Sequence, residues 1–165
     1  MIKRLYLLCP TDCLEPVINS TFKQENYFYF SLGNSFIVEN NTIESIKKIV
    51  KDHHIQEISF VLSNKNHIVI DALGTQDFLN MRGLRSLYNQ LIKQKKHSEI
   101  FWDTDRNQFS ILSYYLNSKI KELKFELGNF INSTLKINAK IYDRYDQVFK
   151  SILPDIVCMN KHYLN

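Results

Sequence analysis

The stretch IQEISFVLSNKNHIVIDAL, from Ile55 to Leu73, predicts the centre of the fold. Its segment 57–62, EISFVL, is apolar on both of its alternating faces, which is typical of a strand buried on both sides of a mainly parallel sheet. The polar turn Ser63–Asn66 follows this strand. Ligands of open α/β sheets bind just beyond the carboxyl ends of the strands. The sequence therefore places a candidate site at this turn.

Length and charge limit the class of protein. The 165 residues predict one domain, 1–165, and a hydrophobic content of 44% is enough for a packed core. The net charge of +4 is mild, and Lys and Arg are scattered apart from one cluster at Lys93, Lys95 and Lys96. A solvated helix end is the ordinary explanation of that cluster, and contact with phosphate or an acidic partner is the alternative. We expect no nucleic-acid partner.

Cysteine usage and hydropathy indicate the compartment. Cys9, Cys13 and Cys158 are too few and too unevenly spaced for a disulfide framework. The spacing of Cys9 and Cys13 is not the C-x-x-C redox motif, and a cysteine that ends a buried strand usually belongs to the core. Strand-like residues begin near Met1, and no apolar run reaches the ~18 residues of a membrane span. We expect a cytoplasmic protein with no signal peptide and no membrane insertion.

Periodicity and turn signals divide the chain into alternating strands and helices. The predicted strands are Lys3–Cys9, Asn26–Leu32, Glu57–Leu62, His67–Ala72, Ile137–Tyr142 and, as a hairpin partner, Gln147–Ile152. The predicted helices are Cys13–Asn19 capped by Asp12, one after the capping box Asn41–Glu44, one opened by Thr75, and a long one opened by Asp103 or Asp105. This order predicts an α/β fold, a mainly parallel central sheet of about five strands with helices on both faces.

Four short strings lie at the ends of predicted strands: LYLLCPTDC at 5–13, Leu32–Asn34, Glu57–Asn66 and Ile141–Asp143. Their order and spacing resemble the β-class carbonic anhydrases, and the resemblance covers nearly the whole chain. In that family the corresponding strings are C-x-D-x-R, A-G-N, G-H-x-x-C and V/I-Y-D. The resemblance implies a β-carbonic anhydrase-like sheet.

The family's chemistry depends on zinc held by two Cys and one His, which lowers the pKa of a bound water. Cys9 matches the first Cys, but Ser63 stands where the His should be and Asn66 where the second Cys should be. Neither replacement is a zinc ligand of the usual kind.

The family also uses an Asp–Arg pair from the first motif. Aligning Cys9 puts Thr11 at the Asp position and Cys13 at the Arg position. A shift by one residue restores Asp12, but it puts Pro10 at the Cys position and Leu14 at the Arg position. No register keeps all three residues, and both registers lack the arginine.

A rebuilt metal site is the alternative to a lost one. Cys9, Asp12 and His67 supply plausible donor atoms, and Cys9 and His67 are the weak metal candidates. The competing explanation is that His67 is a surface or hydrogen-bonded histidine, because it is predicted to start a strand and to point away from the turn.

The leading hypothesis is a degenerate relative of the β-carbonic anhydrases without catalytic residues, metal or cofactor, acting as a binding or interaction module. The residues of the relic pocket are Cys9, Asp12, Gly33, Asn34, Ser63 and Asn66. One alternative is an enzyme with a rebuilt metal site or metal-free chemistry in the same pocket. Another is a sensor of a small, bicarbonate-like anion.

The predicted strand Asn26–Leu32 is aromatic on both faces and carries neither charge nor proline. The resemblance implies that it lies at one edge of the sheet, where unmatched backbone groups invite another chain. We therefore predict a homodimer with Tyr27, Phe28, Tyr29 and Phe30 at or beside a two-fold interface. A protein partner and a small anion are the other possible partners.

Overall fold

A computed structural model describes residues 1–36, 40–98, 104–131 and 134–154, without the side chains of 97, 98 and 104–107. Cys158 and Asp103 therefore lie outside the described residues, as does the side chain of Asp105. Within the described ranges, no helix is long and apolar enough to cross a membrane.

Five strands form one sheet in the order β2-β1-β3-β4-β5. The strands are β1 Arg4–Leu8, β2 Asn26–Phe30, β3 Glu57–Ser63, β4 Lys136–Asp143 and β5 Val148–Ser151. The first four are mutually parallel, and β5 returns antiparallel to β4 as a hairpin. The helices are α1 Glu15–Thr21, α2 Asn40–Asp52, α3 His67–Leu73, α4 Leu84–Ser98 and α5 Thr104–Leu127. The predicted α/β class and the mainly parallel five-stranded sheet are confirmed.

Helices lie on both faces of the sheet, as predicted, but they cover the two faces unequally. Helices α2 to α5 pack on one face, in a large core that includes Leu7, Phe60 and Ile141 of the sheet. Of the described helices, α1 alone packs on the other face, where Ile18 joins a small cluster with Tyr6. Strand β3, which the sequence predicts to be the centre of the fold, is buried along almost its whole length because it lies in the middle of the sheet, between β1 and β4.

The predicted strand His67–Ala72 is wrong, because these residues form α3. The side chain of Asn66 accepts a hydrogen bond from the Val69 N–H at 3.0 Å, which caps a helix at this point. Ile68 and Val69 are buried in the large core. A short apolar run suits a buried helix as well as a strand, and the cap decides between them here.

The two helix starts predicted at Cys13 and Thr75 are also wrong. Cys13 has φ of +50°, which interrupts any helix there, and α1 begins at Glu15. After Thr75 the chain makes turns, and α4 begins at Leu84. Gln76 has φ of +63° and Gly83 has φ of +84°, which a continuous helix through this segment does not allow.

Candidate functional site

The six residues predicted for the pocket are buried together where the strands end. β1 and β3 are parallel neighbours with Leu8 opposite Val61, so the turns that follow them lie side by side. The 3₁₀ turn Leu32–Asn34 follows β2, which pairs with the other side of β1. The members of this group are Cys9, Asp12, Gly33, Asn34, Ser63 and Asn66.

Cys9 is the first residue after β1, and its thiol is engaged by two neighbours. The sulfur accepts the N–H of Gly33 at 3.0 Å and lies 3.0 Å from the hydroxyl of Thr11. On the other side of this turn, the buried hydroxyl of Tyr115 donates to the carbonyl of Gly33 at 2.9 Å. The thiol and Tyr115 together hold the Gly33 turn in place.

Gly33 itself needs to be a glycine. Its φ is +59°, and a Cβ there would lie 2.5 Å from Cδ1 of Leu87 and 3.1 Å from Cγ2 of Ile68. Asn34 follows with φ of +54°, and its side-chain amide donates to the carbonyl of Val61 at 2.8 Å. The turn Leu32–Asn34 therefore packs closely against the ends of β1 and β3 and forms the floor of the candidate site.

Asp12 joins the turn after β1 to the end of β3. Its Oδ2 accepts the backbone N–H of Ser63 at 2.9 Å, so it does not cap α1 as predicted. Burial raises the pKa of Asp12 above its ordinary value, although the Ser63 N–H, the Asn66 amide and the charges of Arg144 and His67 oppose that shift.

Ser63 and Asn66, which occupy the positions of two zinc ligands in the resemblance, make hydrogen bonds within the chain. The hydroxyl of Ser63 accepts the N–H of Lys65 at 3.0 Å. Asn66 accepts from Val69 as the cap of α3, and its amide lies 3.4 Å from the hydroxyl of Thr11. Both side chains are fully buried, and these bonds satisfy polar atoms that burial removes from water.

Arg144 belongs to this cluster, although sequence reasoning passed it over. Its Nε donates to the hydroxyl of Ser63 at 3.0 Å, and its Nη2 donates to the backbone carbonyl of Asp12. The residue lies in the turn between β4 and β5, and its own N–H is bound by the side chain of Asn64 at 3.1 Å. Arg144 comes directly after the string Ile141–Asp143, and this position is the sequence signal that could have assigned it to the site.

Arg144 gives the buried carboxyl of Asp12 a cationic neighbour, as an arginine does in the family motif. It comes from a hairpin 132 residues later in the chain, not from the position occupied by Cys13. Cys13 is exposed, and its thiol lies 3.6 Å from the carbonyl of Pro10. The charge of Arg144 therefore acts on the Asp12 carboxyl, while its hydrogen bond goes to the backbone carbonyl of that residue.

The donor atoms of this cluster do not fit a zinc centre. Cys9 contributes one sulfur, whereas Ser63 and Asn66 contribute a hydroxyl and an amide, which zinc sites rarely use. His67 is exposed at the first turn of α3. Across the part of the chain that the structure describes, no three His, Cys, Asp or Glu side chains are grouped so that they could hold a metal ion.

The predicted interface residues lie on β2, which is an edge strand of the sheet. The ring of Tyr27 lies beside that of His53, tilted by 32° with centroids 4.3 Å apart, and Tyr29 packs against the large core. Phe28 packs on the opposite face with Tyr6, at 6.0 Å between centroids. Phe30 is exposed. Among the described strands, only β1 pairs with this one.

Solved structures with the same architecture are β-carbonic anhydrases. The wild-type CafD enzyme of Aspergillus fumigatus superimposes with a TM-score of 0.73 at 13% identity, covering 93% of this chain and 90% of that one. A β-carbonic anhydrase of Coccomyxa gives 0.68 at 11% identity, covering 93% and 72%. One of two tetrameric β-carbonic anhydrases of Sordaria macrospora gives 0.66 at 18%, covering 91% and 80%.

Sequence comparison adds no relative, because neither a protein-family model nor a curated protein matches this chain. At identities of 18% and below, the structural likeness concerns the fold alone. The chain has a β-carbonic anhydrase-like fold.

Proposed function

We propose that this chain is a non-catalytic β-carbonic anhydrase-like protein that works as a binding or interaction module. The observation that carries the proposal is that the polar groups at the position that the resemblance assigns to the metal make hydrogen bonds that serve the fold itself. The thiol of Cys9 holds Gly33, Asp12 holds Ser63, and Asn66 caps α3. A catalytic zinc site keeps its ligands for the metal and leaves one coordination position open for water or substrate.

Zinc content tests the proposal directly. We expect the purified protein to contain no stoichiometric zinc, because two of three ligands would have to be a hydroxyl and an amide, which forfeits most of the about 10–16 kcal/mol typical of structural zinc. The double variant Ser63→His/Asn66→Cys is the positive control, since with Cys9 it rebuilds the two-Cys, one-His set. Elemental analysis that finds close to one zinc per wild-type chain would contradict the proposal.

Carbon dioxide hydration is the second test. Without a metal, the cluster has no group that could lower the pKa of a water from 15.7 to about 7, so we expect no activity in a stopped-flow assay. Activity that survives further purification and disappears in Cys9→Ser would refute a non-catalytic role and revive the alternative of an enzyme with a rebuilt site, with Cys9 and His67 as the first residues to examine.

A small-anion sensor is the second candidate, and Arg144 is the observation that favours it. Its guanidinium has five N–H donors, of which the contacts to Ser63 and Asp12 use two, and the residue is exposed. Titration calorimetry with bicarbonate distinguishes the two candidates: binding that Arg144→Ala abolishes supports the sensor, and no heat supports the interaction module.

Assembly and location complete the proposal. We propose a homodimer through the edge strand β2, supported by the exposed Phe30 and by the side of β2 on which no described strand pairs. We also propose a cytoplasmic protein. The free thiols of Cys9 and Cys13 fit a reducing compartment. A protein partner in that compartment would be the ligand of the module.

A further inference from the structure

The loop 74–83, between α3 and α4, is held by one buried carboxylate. Asp71 accepts hydrogen bonds from the hydroxyl of Thr75 at 3.0 Å, from the N–H of Asp77 at 2.9 Å and from the N–H of Phe78 at 3.1 Å. The hydroxyl of Tyr88, on α4, donates to the same carboxylate. Charge-assisted hydrogen bonds of this kind fix the loop in one conformation.

This loop and the end of α3 that precedes it display apolar side chains to solvent. Ile70 is 46% exposed, Phe78 41% and Met81 44%, and we call these three residues the apolar patch. Ile70 adjoins Asp71, whose carboxylate binds Phe78, and the N–H of Met81 donates to the carbonyl of Phe78 at 3.0 Å. Grouped exposed apolar side chains mark interaction sites.

The helix that follows the apolar patch is basic on its outer face. The segment 78–98 contains five Lys and Arg residues and no Asp or Glu. Arg85, Lys93 and Lys96 are exposed along α4, and we call them the basic stripe. An open depression of about 520 Å³ runs along this face. Among the described residues, no ion pair engages the basic stripe.

We propose that the apolar patch and the basic stripe form one docking surface for an acidic amphipathic helix of another protein. The apolar face of the partner covers Phe78 and Met81, and its carboxylates meet Arg85 and Lys93. An amphipathic helix binds an apolar surface through side chains spaced at i, i+3, i+4 and i+7, and complementary charge sets its orientation and association rate. The inference identifies the class of partner for the proposed interaction module, but it does not depend on the state of the metal position.

The test uses labelled synthetic peptides of about 18 residues, long enough to form a helix. Each carries Leu, Ile or Phe at i, i+3, i+4 and i+7 and Glu at most other positions. We expect fluorescence anisotropy to report binding that weakens as NaCl rises from about 0.05 to 0.5 M. Phe78→Ser/Met81→Ser and Arg85→Glu/Lys93→Glu should each weaken it by about tenfold or more.

Lys48→Glu/Lys51→Glu is the matched control, because it makes the same charge change on the exposed face of α2. Binding that this control weakens as much as Arg85→Glu/Lys93→Glu reflects net charge and overturns the proposal. Equal binding of a peptide with the same composition but scattered apolar residues overturns it too, as does no binding at all.

Other occupants of the surface give different results. Stronger binding of polythymidylate, or of phosphatidylserine vesicles, would identify a nucleic-acid or membrane surface. A dimer in sedimentation velocity that Phe78→Ser/Met81→Ser converts to a monomer would identify a second copy of the chain. Each of these outcomes rejects the acidic helix. Zinc bound to the wild-type protein would refute the proposed function yet leave this binding result intact, so the two failures are distinguishable.

Discussion

Replacement of Gly33 by Ala measures how tightly the floor of the candidate site is packed. Gly33 has φ of +59°, and the new Cβ would lie 2.5 Å from Cδ1 of Leu87 and 3.1 Å from Cγ2 of Ile68. Contacts this short force a neighbouring side chain to move. The same turn supplies the N–H that binds the sulfur of Cys9, so the movement also disturbs the site.

The expected cost has two parts. A side chain in the left-handed region costs about 1–2 kcal/mol, and an extra methyl group in a packed core costs about 1–3 kcal/mol. Gly33→Ala should therefore lower the free energy of unfolding by about 2–5 kcal/mol. Gly128→Ala is the matched control, because Gly128 has φ of +47° but no atom within 4 Å of the new Cβ. Gly128→Ala should therefore lower the free energy of unfolding only by the cost of the left-handed backbone, about 1–2 kcal/mol.

Urea denaturation followed by far-UV circular dichroism measures both variants. The difference between the two urea midpoints, multiplied by the slope m, gives the difference in the free energy of unfolding. We expect this difference to equal the packing cost alone, about 1–3 kcal/mol. The double variant Gly33→Ala/Leu87→Ala should lose less than the sum of the single losses, because the truncated Leu87 no longer meets the new methyl. Equal costs for Gly33→Ala and Gly128→Ala would refute the reasoning.

Three further predictions concern charge and assembly. Burial raises the pKa of Asp12, so the carboxyl contributes stability below about pH 4 that is lost as pH rises through its folded pKa. Unfolding curves should therefore show that Asp12→Asn becomes more stable relative to the wild-type protein as pH rises. The same trend in the exposed control Asp52→Asn would contradict this. Burial alone would raise the pKa of Asp71, but the hydrogen bonds that its carboxylate accepts from the hydroxyl of Tyr88 and from the following loop outweigh burial and lower that pKa. The stability that this carboxylate contributes is therefore present above about pH 4 and is lost on acidification. At neutral pH, Asp71→Asn should make loop 74–83 more susceptible to proteolysis. In light scattering at micromolar concentration we expect a dimer that Tyr29→Asp weakens, whereas a clean wild-type monomer would exclude it.

The central strand of the sheet was readable from local pattern. The apolar run of β3 predicted a buried central strand, because a strand covered on both faces needs apolar residues at every position. The edge position of β2 was implied by the resemblance to the β-carbonic anhydrases and not by its aromatic run, and β2 is an edge strand of the described sheet. The resemblance grouped Cys9 with Ser63, and the two residues lie together because the parallel neighbours β1 and β3 end at the same edge of the sheet.

Tertiary structure decided what depends on distant partners. HIVIDA has the composition of a strand, and it is a helix because Asn66 caps it and its apolar side chains fit the core of α4 and α5. The residues after Thr75 have helical spacing, yet the left-handed φ angles of Gln76 and Gly83 interrupt a helix there, and the Asp71 carboxylate holds the N–H groups of Asp77 and Phe78 in the loop. Arg144 reaches Asp12 only after the sheet has brought β4 beside β3. Local sequence determines propensity and burial pattern, whereas hydrogen bonds between residues far apart in the chain form only when the fold brings them together.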